Sequence, residues 1–353
     1  MEFLNRLFGN KNKSEENLQM ILKEISNLSR PQDIPRKIMK LQQALSLVPR
    51  QFDPELWAIL HAELGYILLN NLQGNRSNDI EQSIWHYKNA LEVRTRRDFP
   101  EVWAYIQCIL GSAYNSRIIG NKADNIEQAI ECFYNALEIY TREGFPENWA
   151  WNQNNLAFAY LNRILGDKAS NLEKAIDHYN QALEIYTLRD FPELWALNQF
   201  TLASAYRDRI LGDKADNIEQ AIIMYNKALE VRKREDFPED WAITMNTLAI
   251  TYRERIKGDR AENLEKAIQY CNQALYVRTR KDFPEDWAYT QNTLANIYFE
   301  RIKGNRYENL KKSIGYYNKA LEIYSQNEFP YEWAMNQHNL EIALGAYQEN
   351  REY

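Results

Sequence analysis

The sequence predicts an all-α solenoid, a stack of antiparallel helix pairs, and three observations carry that prediction. Tryptophan recurs at Trp57, Trp103, Trp149, Trp195, Trp241, Trp287 and Trp333, at an unbroken spacing of 46 residues. A fixed period between about 20 and 50 residues marks a solenoid, propeller or array. Within each unit the apolar residues fall at helical spacing. The 353 residues include 12 glycines and 10 prolines, too few for the many turns of a propeller.

The elements follow in chain order. Residues 1–13 read as a flexible or capping tail. Its start, "MEFLNRLF", puts Phe3, Leu4, Leu7 and Phe8 on one helical face, but one short apolar element holds a membrane surface only marginally. It also lacks the run of about 7–15 apolar residues at the heart of a secretory signal. Residues 14–50 read as a degenerate helix pair. Leu18, Leu22, Ile25 and Leu28 give the face of its first helix, 14–28, and counting one period back from Ala90 and Leu91 reaches Ala44 and Leu45 in its second, 33–48.

Residues 51–329 form six 46-residue units, and the one opening at Pro146 shows their local physics. Proline in a first turn gives up an amide that has no partner there, and Glu147 suits the positive end of the helix. Trp149, Gln153, Leu156, Tyr160 and Ile164 make one face, and Gly166 is the expected stop. This first helix would then run for about 19 residues, about 28 Å. Asn171 is placed to cap a second helix whose face is Leu172, Ala175, Ile176, Tyr179, Ala182, Leu183 and Tyr186. The small side chains of Ala157, Ala175 and Ala182 let the two helices approach closely. Residues 330–353 read as a capping helix with no second helix after it. There Glu341 replaces the small residue of the other units, a change that only an uncovered surface tolerates. Fifteen helices result.

Leu110, Gly111 and Tyr114 ("L-[GA]-x-x-Y") with Ala129, Phe133 and Ala136 ("A-x-x-x-[FY]-x-x-A") resemble the tetratricopeptide repeat signature, and five consecutive units match almost in full. The resemblance implies a right-handed superhelix whose first helices line a concave groove. The departures are a period 12 residues longer than that family's usual one, and Gln153 at the family's tryptophan position, with tryptophan one turn earlier. This longer form is similar to arrays in bacterial, notably cyanobacterial, regulatory proteins that often accompany caspase-like CHAT peptidase modules.

Composition narrows the function. The chain is 45% hydrophobic and 26% charged, with no run near the roughly 18 apolar residues of a membrane span, as expected of a soluble cytoplasmic protein. A net charge of −6 offers nothing to nucleic acid, which rewards a basic face. Three cysteines without a CxxC pair argue against a disulfide framework or zinc knuckle. His86, Cys132 and His178 share one register but read as surface drift, because packed helices lie about 8–10 Å apart while ligands must reach within about 2.3 Å of one ion. Cys271 stands in the register of Tyr87, Phe133, Tyr179, Tyr225 and Tyr317 and reads as core. The "GDKADN" loops lack the alternating oxygen ligands of a calcium loop, and no phosphate-binding GxxxxGK[ST] occurs. The expectation is no enzyme, no cofactor and no metal.

Binding is better supported. Two residues before each core leucine stand Cys108, Asn154, Phe200, Asn246, Asn292 and His338. Asparagine carries both donor and acceptor, so Asn154, Asn246 and Asn292 either bracket the amides of an extended peptide or tie neighbouring helices together. Farther along lie Leu161, Arg207, Arg253 and Phe299, with Trp151, Phe158 and Tyr289 at adjacent groove positions. The groove is apolar toward its first half and charged toward its second, with Arg207, Asp208, Arg253 and Glu254. Arg117, Arg163, Arg209, Arg255 and Arg301 recur near the first helix's end and read as structural, pairing with a repeat glutamate such as Glu138 or Glu184.

The sequence thus reads as a non-enzymatic scaffold or adaptor that binds a partner protein or peptide in its groove, with an effector such as a peptidase as one candidate. The rivals are a helical-repeat nucleic-acid reader and a self-assembling protein whose groove grips its own copy. No nucleic acid and no membrane is expected as partner, and a homo-oligomer is not implied.

Overall fold

The computed structural model describes residues 2–71 and 74–350, with side chains from residue 15 onward. Phe3, Leu4, Leu7 and Phe8, the apolar face expected in the N-terminal tail, lie outside the described side chains. Among the described residues there are fifteen α-helices, one 3₁₀ turn (Pro31–Asp33) and no strand. They form two compact units, divided between Ile185 and Tyr186.

The first unit holds α1 (Glu2–Asn27), α2 (Ile34–Leu47), α3 (Pro54–Leu69), α4 (Arg76–Leu91), α5 (Pro100–Asn115), α6 (Lys122–Leu137), α7 (Pro146–Leu161) and α8 (Lys168–Leu183). The second holds α9 (Pro192–Asp208), α10 (Lys214–Val231), α11 (Pro238–Glu254), α12 (Arg260–Ala274), α13 (Pro284–Glu300), α14 (Arg306–Leu321) and α15 (Pro330–Glu349). Each helix packs most closely on its partner in the pair. The first helices of neighbouring pairs also touch directly, α3 on α5 and α5 on α7 in one unit, α11 on α13 in the other. Second helices make no comparable contact with one another among the described residues. The side on which layers come closer is the inner side of a curved stack, so the first helices line the inside of each unit.

Small residues set the spacing within a pair. Ala157, Ala175 and Ala182 are fully buried. Gly65 and Gly111 occupy the register of Ala157, and a Cβ added to Gly111 would stand 2.7 Å from Cε1 of Phe133. Glu341, in the same register of α15, is exposed.

Two local expectations are corrected. The first helix of the unit at Pro146 ends at Leu161 after 16 residues rather than at Gly166, and Ile164, expected on its buried face, is 56% exposed. Gly166, with φ +80°, instead turns the loop through a conformation open to glycine. The second helix begins at Lys168, capped by the Asp167 side chain, which accepts from the Ser170 amide. Asn171 is therefore inside the helix. Its buried amide closes the loop, donating to the Leu165 carbonyl at 2.9 Å and accepting from Arg163 Nη1 at 3.3 Å.

Candidate functional site

The inner face of each unit carries one large apolar side chain per first helix, in one register. In the first unit these are Ile59 and Tyr105, exposed, and Trp151, half-buried; in the second they are Leu197, Ile243, Tyr289 and Met335, all exposed. The helices hold them there because the residue that follows, Leu60, Ile106, Asn152, Asn198, Thr244, Thr290 or Asn336, is buried at every repeat. Of this row the sequence reading named only Trp151 and Tyr289. Counting one period from either would have found the rest. A second row, seven residues on, is exposed at Tyr66 and Phe158.

The other expected groove residues divide. Asn154 is half-buried and His338 exposed. Asn246 is 1% exposed and its Oδ1 has no hydrogen-bond partner, so it offers no amide to the surface. Asn292 turns into its own repeat, accepting from Asn296 Nδ2 at 2.7 Å, while Asn296 Oδ1 accepts from the Tyr317 hydroxyl at 2.7 Å. At the first rung Cys108 is buried and donates its thiol to Asn152 Oδ1 of the next repeat at 3.1 Å. The rungs therefore do not stand as one row of open amides.

Phe200 is half-buried, 5.4 Å from the Tyr225 ring, with the Arg232 guanidinium 4.7 Å over its face. Phe299 is half-buried under Arg306 at 5.1 Å. Trp151 packs edge-on against Phe133 at 6.4 Å, leaving part of its ring outward. Arg207 Nε donates to Asp208 at 2.9 Å, and Arg253 lies 3.8 Å from Glu300 of the following repeat. The expected charged half of the groove is thus largely paired within the chain.

Arg117, Arg163, Arg255 and Arg301 each reach back to the second helix of the preceding repeat and grip both carboxylate oxygens of Glu81, Glu127, Glu219 and Glu265, at 2.6–3.1 Å. Hydrogen bonds from the Arg117 guanidinium hold the Glu81 carboxyl below its ordinary range. The expected partners Glu138 and Glu184 are corrected, since they pair with Arg96 and Arg142. An antiparallel second helix brings its beginning, not its end, beside the end of the next first helix.

His86, Cys132 and His178 are buried, not surface drift. His86 and His61 bring their Nδ1 atoms to 2.9 Å of each other beside the Trp57 and Trp85 rings. Burial pushes both imidazoles down to about 4. His178 meets Gln153 Oε1 at 2.6 Å. Among the described residues no three His, Cys, Asp or Glu side chains gather as metal ligands, and no helix is long and apolar enough to cross a membrane.

Comparison with known proteins agrees with this geometry. Residues 241–275 match a tetratricopeptide repeat family model, and residues 111–230 match the model of soluble NSF attachment protein, SNAP. No curated protein sequence matches the chain significantly. Among solved structures, the apo form of RapI is similar at TM-score 0.56 and 19% identity, over 87% of this chain and 97% of that one. BtubC (BKLC) from P. vanneervenii is similar at TM-score 0.51 and 19% identity, over 73% of this chain and 92% of that one. At such identities the likeness is one of fold, and together with the matched repeat it supports a tetratricopeptide-type helical repeat.

Proposed function

We propose that the chain is a non-enzymatic protein-interaction scaffold that takes a partner polypeptide on the first-helix face of its repeats. The observation that carries this is the register row, Ile59, Tyr105 and Trp151 in one unit, Leu197, Ile243, Tyr289 and Met335 in the other. Isolated exposed apolar residues are ordinary, whereas a row on the inner face of a stack is what a partner's side chains would cover. Phe158 and Tyr66 extend the row across the face, Met335 carries it onto the last helix, and the exposed His338 stands beside it there. The resemblance to bacterial regulatory arrays supports an effector, such as a caspase-like peptidase, as the partner.

The test is affinity capture from the native cell with the intact chain and with an Ile243→Ser/Tyr289→Ser variant. The reading requires a polypeptide that the intact chain retains and the variant loses at unchanged thermal stability. Equal capture by both would remove this face from consideration.

A further inference from the structure

In the six 46-residue units, the residue at which the chain leaves the second helix for the next repeat is either tyrosine or arginine, and it is buried in every one. Tyr140 and Tyr324 donate their hydroxyls to the carbonyls of Glu101 and Glu285 at 3.0 and 3.3 Å. Arg232 and Arg278 carry a charge into the same place, and the following repeat supplies its answer. Arg278 Nη2 lies 3.0 Å from Asp286 and its Nη1 donates to Thr290 at 3.2 Å. Arg232 has Asp240 at 3.6 Å and Thr244 at 3.3 Å. The two aspartates are half exposed, 49% and 50%, so each carboxylate approaches its guanidinium from solvent.

Arg94 lacks that Asp–Thr pair and has instead an acid of its own repeat, Glu55, at the limit of reach. Arg94 is 7% exposed, its guanidinium lies 4.2 Å over the Phe99 ring, and its Nε has no hydrogen-bond partner. The register positions of Asp240 and Thr244 are here Val102 and Ile106. Among the described residues the carboxylate in reach is that of Glu55, 63% exposed and 4.0 Å away. A buried guanidinium is costly unless paired, and the chain itself shows twice what pairs it.

We propose that Arg94 is a receptor for a carboxylate carried by the bound polypeptide, either an Asp or Glu side chain or a chain terminus. Beside Arg232 the same register positions line a cavity of about 220 Å³ bounded by Leu197, a member of the apolar row, and by Asp240. The register equivalent of Leu197 beside Arg94 is Ile59. An incoming acidic group would sit where Asp240 sits, with its apolar neighbours on Ile59 and Val102. The proposal rests on the scaffold reading for the carrier of the carboxylate, and its test does not.

The full chain is titrated with three short peptides while the Arg94 Nε–Hε signal, assigned by its loss in Arg94→Met, is followed by NMR. N-acetyl-Leu-Gly-Asp-Gly-amide offers a side-chain carboxylate, N-acetyl-Leu-Gly-Gly a terminal one, and the Asn analogue of the first offers neither. At least one carboxylate peptide should shift the signal and the Asn analogue should not; the responding arm identifies the source. Val102→Asp, at a position 42% exposed, should raise the melting temperature and weaken binding about tenfold or more. Asp240→Val should give Arg232 the response that Arg94 has. A shift with the Asn analogue, no shift with either carboxylate, or binding undiminished in Val102→Asp overturns the proposal. Any of these leaves partner capture through Ile243 and Tyr289 untouched.

Discussion

Arg163 holds both carboxylate oxygens of Glu127, 36 residues earlier, with Nε at 2.7 Å and Nη2 at 2.8 Å, while its Nη1 donates to Asn171. One guanidinium thus fastens the preceding second helix, the end of its own first helix and the loop that follows. Neither partner is wholly in water, with side chains 23% and 31% exposed. Bidentate, charge-assisted pairs of this kind exceed the small value of an open surface pair. Glu127→Gln should therefore lower unfolding free energy by about 1–2 kcal/mol, read from urea titration. Arg97→Ala, at a side chain 89% exposed and bound to its neighbour Asp98, should change it by less than about 0.5 kcal/mol.

Glycine gives a prediction of opposite signs. Alanine is favoured over glycine in a helix by about 1 kcal/mol. At Gly315 the new methyl meets nothing within 4 Å, so Gly315→Ala should stabilise the chain by up to that amount. At Gly111 the methyl stands 2.7 Å from a ring carbon of Phe133, which is fully buried, and overpacking there should cost about 1–3 kcal/mol. Thermal unfolding of the two single variants should move in opposite directions.

Much of this fold was legible in the sequence because repetition separates framework from variation. The tryptophan register, the alanines at Ala157, Ala175 and Ala182, and the charge at Glu341 each had one physical meaning wherever the unit was read. The groove was less legible because polar and apolar residues exchange roles there. Asn152 and Asn246 are buried while Tyr105 and Tyr289 are exposed, and hydropathy orders them the other way. A helix turns about 100° per residue, so an error of one position moves a side chain from the cleft to the core. "WNQNN", with tryptophan and asparagine side by side, does not say which of Asn152 and Asn154 faces inward. The arginine partners were misplaced for a related reason: the chain's 36-residue reach to Glu127 depends on helix direction and stacking, not on local spacing.

Acid should expose the buried histidine pair. With Nδ1 atoms 2.9 Å apart, one ring of His61 and His86 must donate to the other, and two protonated rings would oppose two N–H groups. Desolvation pushes both down to about 4 in the folded chain, with Glu92 opposing this at His61 and His61 adding to it at His86. In the unfolded chain they titrate near their ordinary value of about 6.5. Since the folded values are the lower ones, the unfolded state takes up protons first as pH falls. The pair's contribution is complete above about pH 6.5 and is lost progressively toward about pH 4, a change of a few kcal/mol. The repeat register supplies a neutral replacement that this architecture already uses: Gln199 and Met224 occupy the places of His61 and His86 in the fourth repeat. His61→Gln/His86→Met should match the parent at pH 7.5 and exceed it at pH 5 in urea unfolding. Parallel loss of stability in both proteins between those pH values would assign the acid sensitivity to other groups.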